Sequence, residues 1–69
     1  MHNMNIILNG NSQKIPAKFT LNQLVETLDL AGRRYAIEVN EQLIPRSQHP
    51  SHHLQENDNI EIVQAIGGG

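Results

Sequence analysis

The sequence predicts a small α+β domain, in which a mixed sheet of four to five strands packs on one main helix. Three observations predict this fold class. The chain has 69 residues, which is enough for one domain with a thin aliphatic core. One segment alone carries apolar residues at helical spacing. Short apolar or alternating segments, typical of strands, lie on both sides of that segment.

The first two strands are predicted at residues 5–8 and 13–19, and residues 1–4 are expected to be frayed. Asn9 and Gly10 between these strands favour a two-residue hairpin turn, because both residue types tolerate a positive φ. Pro16 has no N–H to donate to a ladder, so the second strand should lie at an edge of the sheet.

The predicted helix begins after Thr20, a good N-cap, and Gln23 three residues later completes a capping box. The helix should fade near Leu30 and end at Gly32, after about three turns. Its apolar face consists of Leu21, Leu24, Val25 and Leu28.

Three further strands are predicted at residues 36–39, 42–44 and 60–66, with a turn at Asn40-Glu41 and an irregular polar segment at 46–53. Two strands, one helix and three strands make the order of a β-grasp fold, in which a sheet wraps around a single helix. The predicted core is Ile6, Leu8, Leu21, Leu24, Val25, Leu28, Ile37, Val39, Ile60 and Ile62.

In that fold the first and last strands pair in parallel at the centre of the sheet. The face opposite the helix then carries Ile7, Val63 and Ala65, and we interpret these residues, together with Ile66, as a partner-binding patch. The alternative is that other side chains shield them. Glu56, Asp58 and Glu61 are expected to make the tail end of the sheet acidic, which fits a basic partner or a merely solvated surface.

Composition excludes several classes of function. A net charge of -2 with five scattered basic residues does not indicate nucleic-acid binding, and no apolar stretch is long enough to cross a membrane. The absence of cysteine removes thiol nucleophiles, disulfides and thiolate metal sites, and we expect a cytoplasmic protein. We predict no metal site: His49, His52 and His53 are interpreted as residues of a solvated loop.

The last three residues are Gly67, Gly68 and Gly69, which follow the final strand directly. Because glycine packs no side chain and is costly to order, such an end has either no function or a special one. We divide the chain into a domain at 1–66 and a flexible tail at 67–69, a thin arm that could carry its terminal carboxylate into a narrow slot of another protein.

Two segments resemble a known family. Residues 37–47 have its strand, its turn containing Asn40, and a Pro45-Arg46-Ser47 motif, and residues 58–69 have its last strand and glycine end. Both are similar to the ThiS family, the ubiquitin-like sulfur carriers of thiamin biosynthesis. Family members usually have glycine where Asn57 stands, and often an aromatic residue near His49. From the residues themselves, we favour a structural role for Arg46, placed over a carboxylate or a free carbonyl, over a partner contact.

The resemblance implies a protein substrate and not an enzyme. The carboxylate of Gly69 would be adenylated and then converted to a thiocarboxylate, with Gly67 and Gly68 as the slim tether. No cofactor is expected on this chain, since the adenylating partner would use ATP and Mg²⁺. The implied partners are an adenylyltransferase like ubiquitin-activating enzymes, a sulfur donor such as a cysteine desulfurase, and thiazole synthase.

Two other functions stay open at the level of sequence. The same chemistry at Gly69 could supply sulfur to molybdopterin or to a thiolated RNA base. Alternatively, the chain could be a ubiquitin-like binding or conjugation module without sulfur chemistry.

Overall fold

A computed structural model describes residues 2–30 and 32–64 of the chain. Five strands form one mixed sheet in the order β2-β1-β5-β3-β4, and one helix packs on it, as the α+β β-grasp prediction requires. The elements are β1 (Asn3–Leu8), β2 (Asn11–Pro16), α1 (Leu21–Thr27), β3 (Tyr35–Val39), β4 (Gln42–Leu43), a 3₁₀ helix (Arg46–Ser51) and β5 (Asn59–Gln64).

The N-terminal hairpin forms as predicted but with different ends. Asn9 and Gly10 have φ values of 49° and 84°, the left-handed conformations that a tight hairpin turn needs. β1 begins at Asn3, and Met4 is buried, so the predicted fraying of residues 1–4 is wrong for these two residues. β2 ends at Pro16 and not at residue 19, and it is an edge strand, where a residue without an N–H is tolerated.

α1 is shorter than the periodicity predicted. Its capping box is confirmed: the Thr20 hydroxyl accepts from the Gln23 N–H at 3.1 Å, and the Gln23 side chain accepts from the Thr20 N–H at 2.8 Å. The helix ends at Thr27 because Asp29 adopts a φ of 59°, a left-handed conformation that helix geometry does not allow. The expected end at Gly32 is therefore wrong.

The segment at 46–53 is also more regular than predicted. Arg46–Ser51 forms a 3₁₀ helix, which begins with a bond from the Gln48 N–H to the Pro45 carbonyl. The expectation of a solvated loop is wrong for His49, which is 2% exposed, whereas His53 is exposed. Within the described residues, no three histidine or acidic side chains come close enough together to hold a metal ion.

The parallel pairing of β1 with β5 near the centre of the sheet is confirmed, and β3 pairs antiparallel with the other side of β5. Eight of the ten predicted core residues are buried, and Leu28 and Ile62 are partly buried against them. The prediction omitted Met4, Ile15, Leu30, Ile44 and Leu54, which are also buried. No helix of the described residues is both long enough and apolar enough to cross a membrane.

Candidate functional site

The candidate site is the end of β5, since the predicted reacting group lies a few residues beyond it. Gln64 is the last residue that the structure describes. Ala65 and Ile66, predicted as partner-binding residues, and the predicted tail at 67–69 with its attachment site Gly69 lie outside the described residues, so these assignments stay predictions.

The sheet supports β5 unequally along its length. β1 pairs with β5 only as far as the pair of Leu8 and Ile60, whereas β3 accompanies β5 to the pair of Tyr35 and Gln64. Beyond Leu8 the side chain of Asn9 takes the place of the missing strand, because its Oδ1 accepts from the Ile62 N–H at 2.8 Å. The last residues of β5 therefore have a strand on one side and an open edge on the other.

Two residues of the predicted partner-binding patch are described. Val63 is 66% exposed and Ile7 is half-buried. Both lie on the sheet face away from α1, because Ile7 stands between two buried residues and Val63 follows Ile62, which packs against the core. Ile7 is opposite Asn59, four residues before Val63, so the two side chains lie about 13 Å apart along the sheet. Val63 belongs to the end of β5, and Ile7 is remote from it.

The open edge of β5 faces an apolar groove. This groove has a volume of about 550 Å³ and runs between the end of α1, the hairpin turn and β5. Its lining residues are Leu8, Asn9, Leu28, Leu30, Ile62, Val63 and Gln64. None of these side chains is ionisable.

The other side of β5 carries arginines. Arg46 donates from Nη2 to the Arg33 carbonyl at 3.2 Å, and its guanidinium carbon lies 4.3 Å from the centre of the Tyr35 ring. The predicted placement of Arg46 over a free carbonyl is thus confirmed. Arg33 and Arg34 are exposed and immediately precede Tyr35, whose pairing with Gln64 brings them to the end of β5.

A buried histidine packs against Tyr35, the ring that Arg46 contacts. The His49 ring stacks on Tyr35, with 6.1 Å between centroids and 25° between planes. His49 Nε2 lies 3.0 Å from the Ile44 carbonyl, an acceptor, so the proton resides on Nε2. Its Nδ1 is buried with no partner among the described residues. His49 is thus a buried residue that packs against Tyr35.

The predicted acidic character of the tail end is wrong for Glu56 and Asp58, whereas Glu61 lies within β5, about 10 Å before Gln64 and opposite Glu38 of β3. Glu56 and Asp58 precede Asn59 at the start of β5, so the length of a six-residue strand, about 20 Å, separates them from Gln64. There the Asp58 carboxylate accepts from Gln55 N at 2.8 Å and from Asn40 Nδ2 at 3.0 Å, which shapes the turn. Sequence reasoning overlooked the arginines because the antiparallel pairing of β3 with β5 had not been predicted.

Comparison with known proteins agrees with this architecture. The model of the ThiS family matches residues 6–69. The chain belongs to the ThiS family. The sulfur carrier protein ThiS of Escherichia coli K12 is 35% identical over 66 residues, which are 96% of this chain and 100% of that protein.

Two further similarities extend this family assignment. A thiazole synthase of Paramagnetospirillum magneticum is 32% identical over 66 residues, but these are only 20% of that protein's length. The crystal structure of the thiamine biosynthesis protein ThiS from Geobacter metallireducens superimposes with a TM-score of 0.80 at 22% identity, covering 96% of this chain and 100% of that one. At this identity the structural match supports the shared fold, and the sequence matches support the ThiS family itself.

Proposed function

We propose that this chain is a sulfur carrier of thiamin biosynthesis whose reacting group is the C-terminal carboxylate of Gly69. The observation that carries the proposal is the extent of the family match, which continues through the glycine tail to residue 69. The similarity to a sulfur carrier protein over its entire length supports the same function. An unrelated run of appended glycines would not be part of a family match.

The proposed chemistry follows from the weakness of a carboxylate as an electrophile. The terminal carboxylate is ionised at neutral pH, so one of its oxygens can attack the α-phosphorus of ATP and release pyrophosphate. The product is an acyl-adenylate. Hydrosulfide, which a thiol reductant releases from the donor's persulfide, then attacks the carbonyl carbon of Gly69, the bond to AMP breaks, and a thiocarboxylate remains. Because this sulfur sits on the backbone terminus, the chain needs no cysteine, and it has none.

The described fold suits a carrier in which a partner binds the folded domain and the tail carries the reacting group. β5 is a central strand, held by β1 at its beginning and by β3 along its length, and it points at the tail. Five residues follow Gln64, so the carboxylate can lie at most about 17 Å beyond the end of the sheet. Three glycines at the tip keep this arm narrow, because they have no side chains.

The proposed partners follow from the same chemistry. A ubiquitin-activating-enzyme-like adenylyltransferase would bind ATP and Mg²⁺, and a cysteine desulfurase or similar donor would supply sulfur. For thiazole synthase there is a further observation: two proteins of that name contain a segment similar to 96% of this chain, within a much longer polypeptide. The chain itself acts as a co-substrate and not as an enzyme, in the cytoplasm, where ATP is available.

The named relatives favour thiamin over the other sulfur-containing products. The same tail chemistry could serve molybdopterin or RNA thiolation, but three of the matching sequences bear the names ThiS or thiazole synthase. A conjugation module would instead form an amide bond between Gly69 and another protein, which raises the mass by that of the attached protein.

The test compares the intact chain with a chain that lacks Gly69. Each is incubated with ATP, Mg²⁺ and the adenylating enzyme of its host, and pyrophosphate release and intact mass are measured. We expect pyrophosphate only from the intact chain. After addition of the sulfur donor and a thiol reductant, the mass of the intact chain should increase by the exchange of one oxygen for one sulfur. Equal pyrophosphate release from both chains would contradict the proposal.

A further inference from the structure

We infer that the arginines beside the end of β5, namely Arg33, Arg34 and Arg46, bind an acidic wall of the partner's slot and so fix the orientation in which the carrier docks. This inference rests on the proposed function, in which the tail enters an adenylating partner. It adds the chemical character of the partner's surface and the part of the carrier that recognises it.

The length of the tail places the end of β5 against the partner. If Gly69 reaches an active site, the rim of that site lies within about 17 Å of Gln64, because only five residues separate the two. Groups that surround Gln64 therefore face the rim in any productive complex. Groups at the start of β5 lie about 20 Å from Gln64, on the side away from the tail, and do not face the rim.

The arginines satisfy this distance condition. Tyr35 is the pairing partner of Gln64, and paired residues of antiparallel strands have Cα atoms about 5 Å apart. Arg34 is one residue further, so its Cα lies within about 10 Å of the Cα of Gln64. The guanidinium of Arg46 stands over the Tyr35 ring itself, at 4.3 Å.

The position of Arg46 is fixed while its charge stays available. Its contacts within the described part of the chain, the Arg33 carbonyl and the Tyr35 ring, are uncharged groups that orient a guanidinium without neutralising it. Two more arginines stand beside it, and like charges this close repel one another. The connection between α1 and β3 also contains one acidic residue, Asp29. Glu61 and Glu38 face each other about 10 Å behind Gln64, so the positive charge is confined to the tail end of the sheet, where an acidic partner surface would stabilise it.

The arginines lie on the β3 side of β5 only. The groove on the other side is lined by aliphatic, asparagine and glutamine side chains, none of which is charged. An acidic surface would therefore attract the β3 side of the carrier and not the groove side. This asymmetry favours one orientation of the carrier about the long axis of its tail. The glycine tail has no side chains and could not fix that orientation by itself.

The test uses charge reversal at two exposed positions. Arg34→Glu changes the charge beside the tail, and Lys18→Glu makes the same change after β2, at the end of the sheet remote from Gln64. For each chain, the KM and kcat of pyrophosphate release by the host's adenylating enzyme are measured at low and high NaCl. Circular dichroism checks that both variants fold.

We expect Arg34→Glu to raise KM about tenfold at low salt, with kcat unchanged because Gly69 is intact. High salt should reduce this difference to about twofold or less, because it screens exposed charges. Lys18→Glu should leave KM near the value of the unmodified chain. Equal KM values for the two variants, or a fall in kcat alone, would overturn the inference while the proposed function stands. Pyrophosphate release that survives removal of Gly69 would overturn both.

Discussion

Replacing Asn9 by glycine tests how the end of β5 is supported. The Asn9 side chain accepts from the Ile62 N–H at 2.8 Å, at the point where β1 has ended and β5 has no strand on that side. Asn9→Gly removes this acceptor alone. The backbone can keep its positive φ of 49°, which glycine adopts readily, and the Asn9 N–H can keep its bond to the Ile60 carbonyl at 2.9 Å.

The expected loss of stability is that of one hydrogen bond, about 1 kcal/mol. Two effects of glycine oppose each other here, because it loses more chain entropy on folding but avoids the strain of a side chain at positive φ. A domain of this size has a free energy of unfolding of about 3–10 kcal/mol, so the loss is appreciable. It corresponds to a decrease in Tm of about 4–8 °C.

Thermal unfolding followed by circular dichroism measures the global effect, and amide hydrogen exchange at Ile62 measures the local one. Exchange at Ile62 should accelerate more than exchange at Ile60, which lies nearer the β1 pairing. Asn9→Asp is the matched control, because it keeps a side-chain oxygen in the same place and tolerates the same φ. If Asn9→Gly leaves both Tm and Ile62 exchange unchanged, the Asn9 side chain does not support β5.

Two further substitutions test the helix cap and the sheet surface. Thr20→Ala should lower the free energy of unfolding by about 1 kcal/mol, because it removes the hydroxyl that accepts from the Gln23 N–H. Thr20→Ser keeps a hydroxyl and should retain most of that stability. Equal Tm values for the two variants would argue against the cap. Val63→Asp should leave the circular dichroism spectrum unchanged, because the side chain is 66% exposed, yet weaken binding to the adenylating partner. Unchanged affinity in a titration would remove Val63 from the interface.

Local patterns in the sequence were sufficient for most of the elements. The hairpin turn at Asn9-Gly10 and the capping box at Thr20 each depend on residues within four positions of one another, and both are confirmed. Asn57, where the resembled family usually has glycine, adopts a φ of 68°, so the turn before β5 survives the change. Asp29 shows the limit of such patterns, because several residue types could have ended the helix and only the folded chain shows which one did.

The sequence by itself determined the family, the fold class and the proposed reacting group, because these depend on spacing, turn residues and the order of residues at the end of the chain. The tertiary structure decided what surrounds that end. Arg34 and Gln64 are 30 positions apart, and only the pairing of β3 with β5 makes them neighbours. The extended strand β5 keeps Glu56 and Asp58 about 20 Å from Gln64, although they are closer to the tail in sequence than any arginine. Charge at a docking surface is a property of groups close in space, and linear sequence does not record which strands lie side by side.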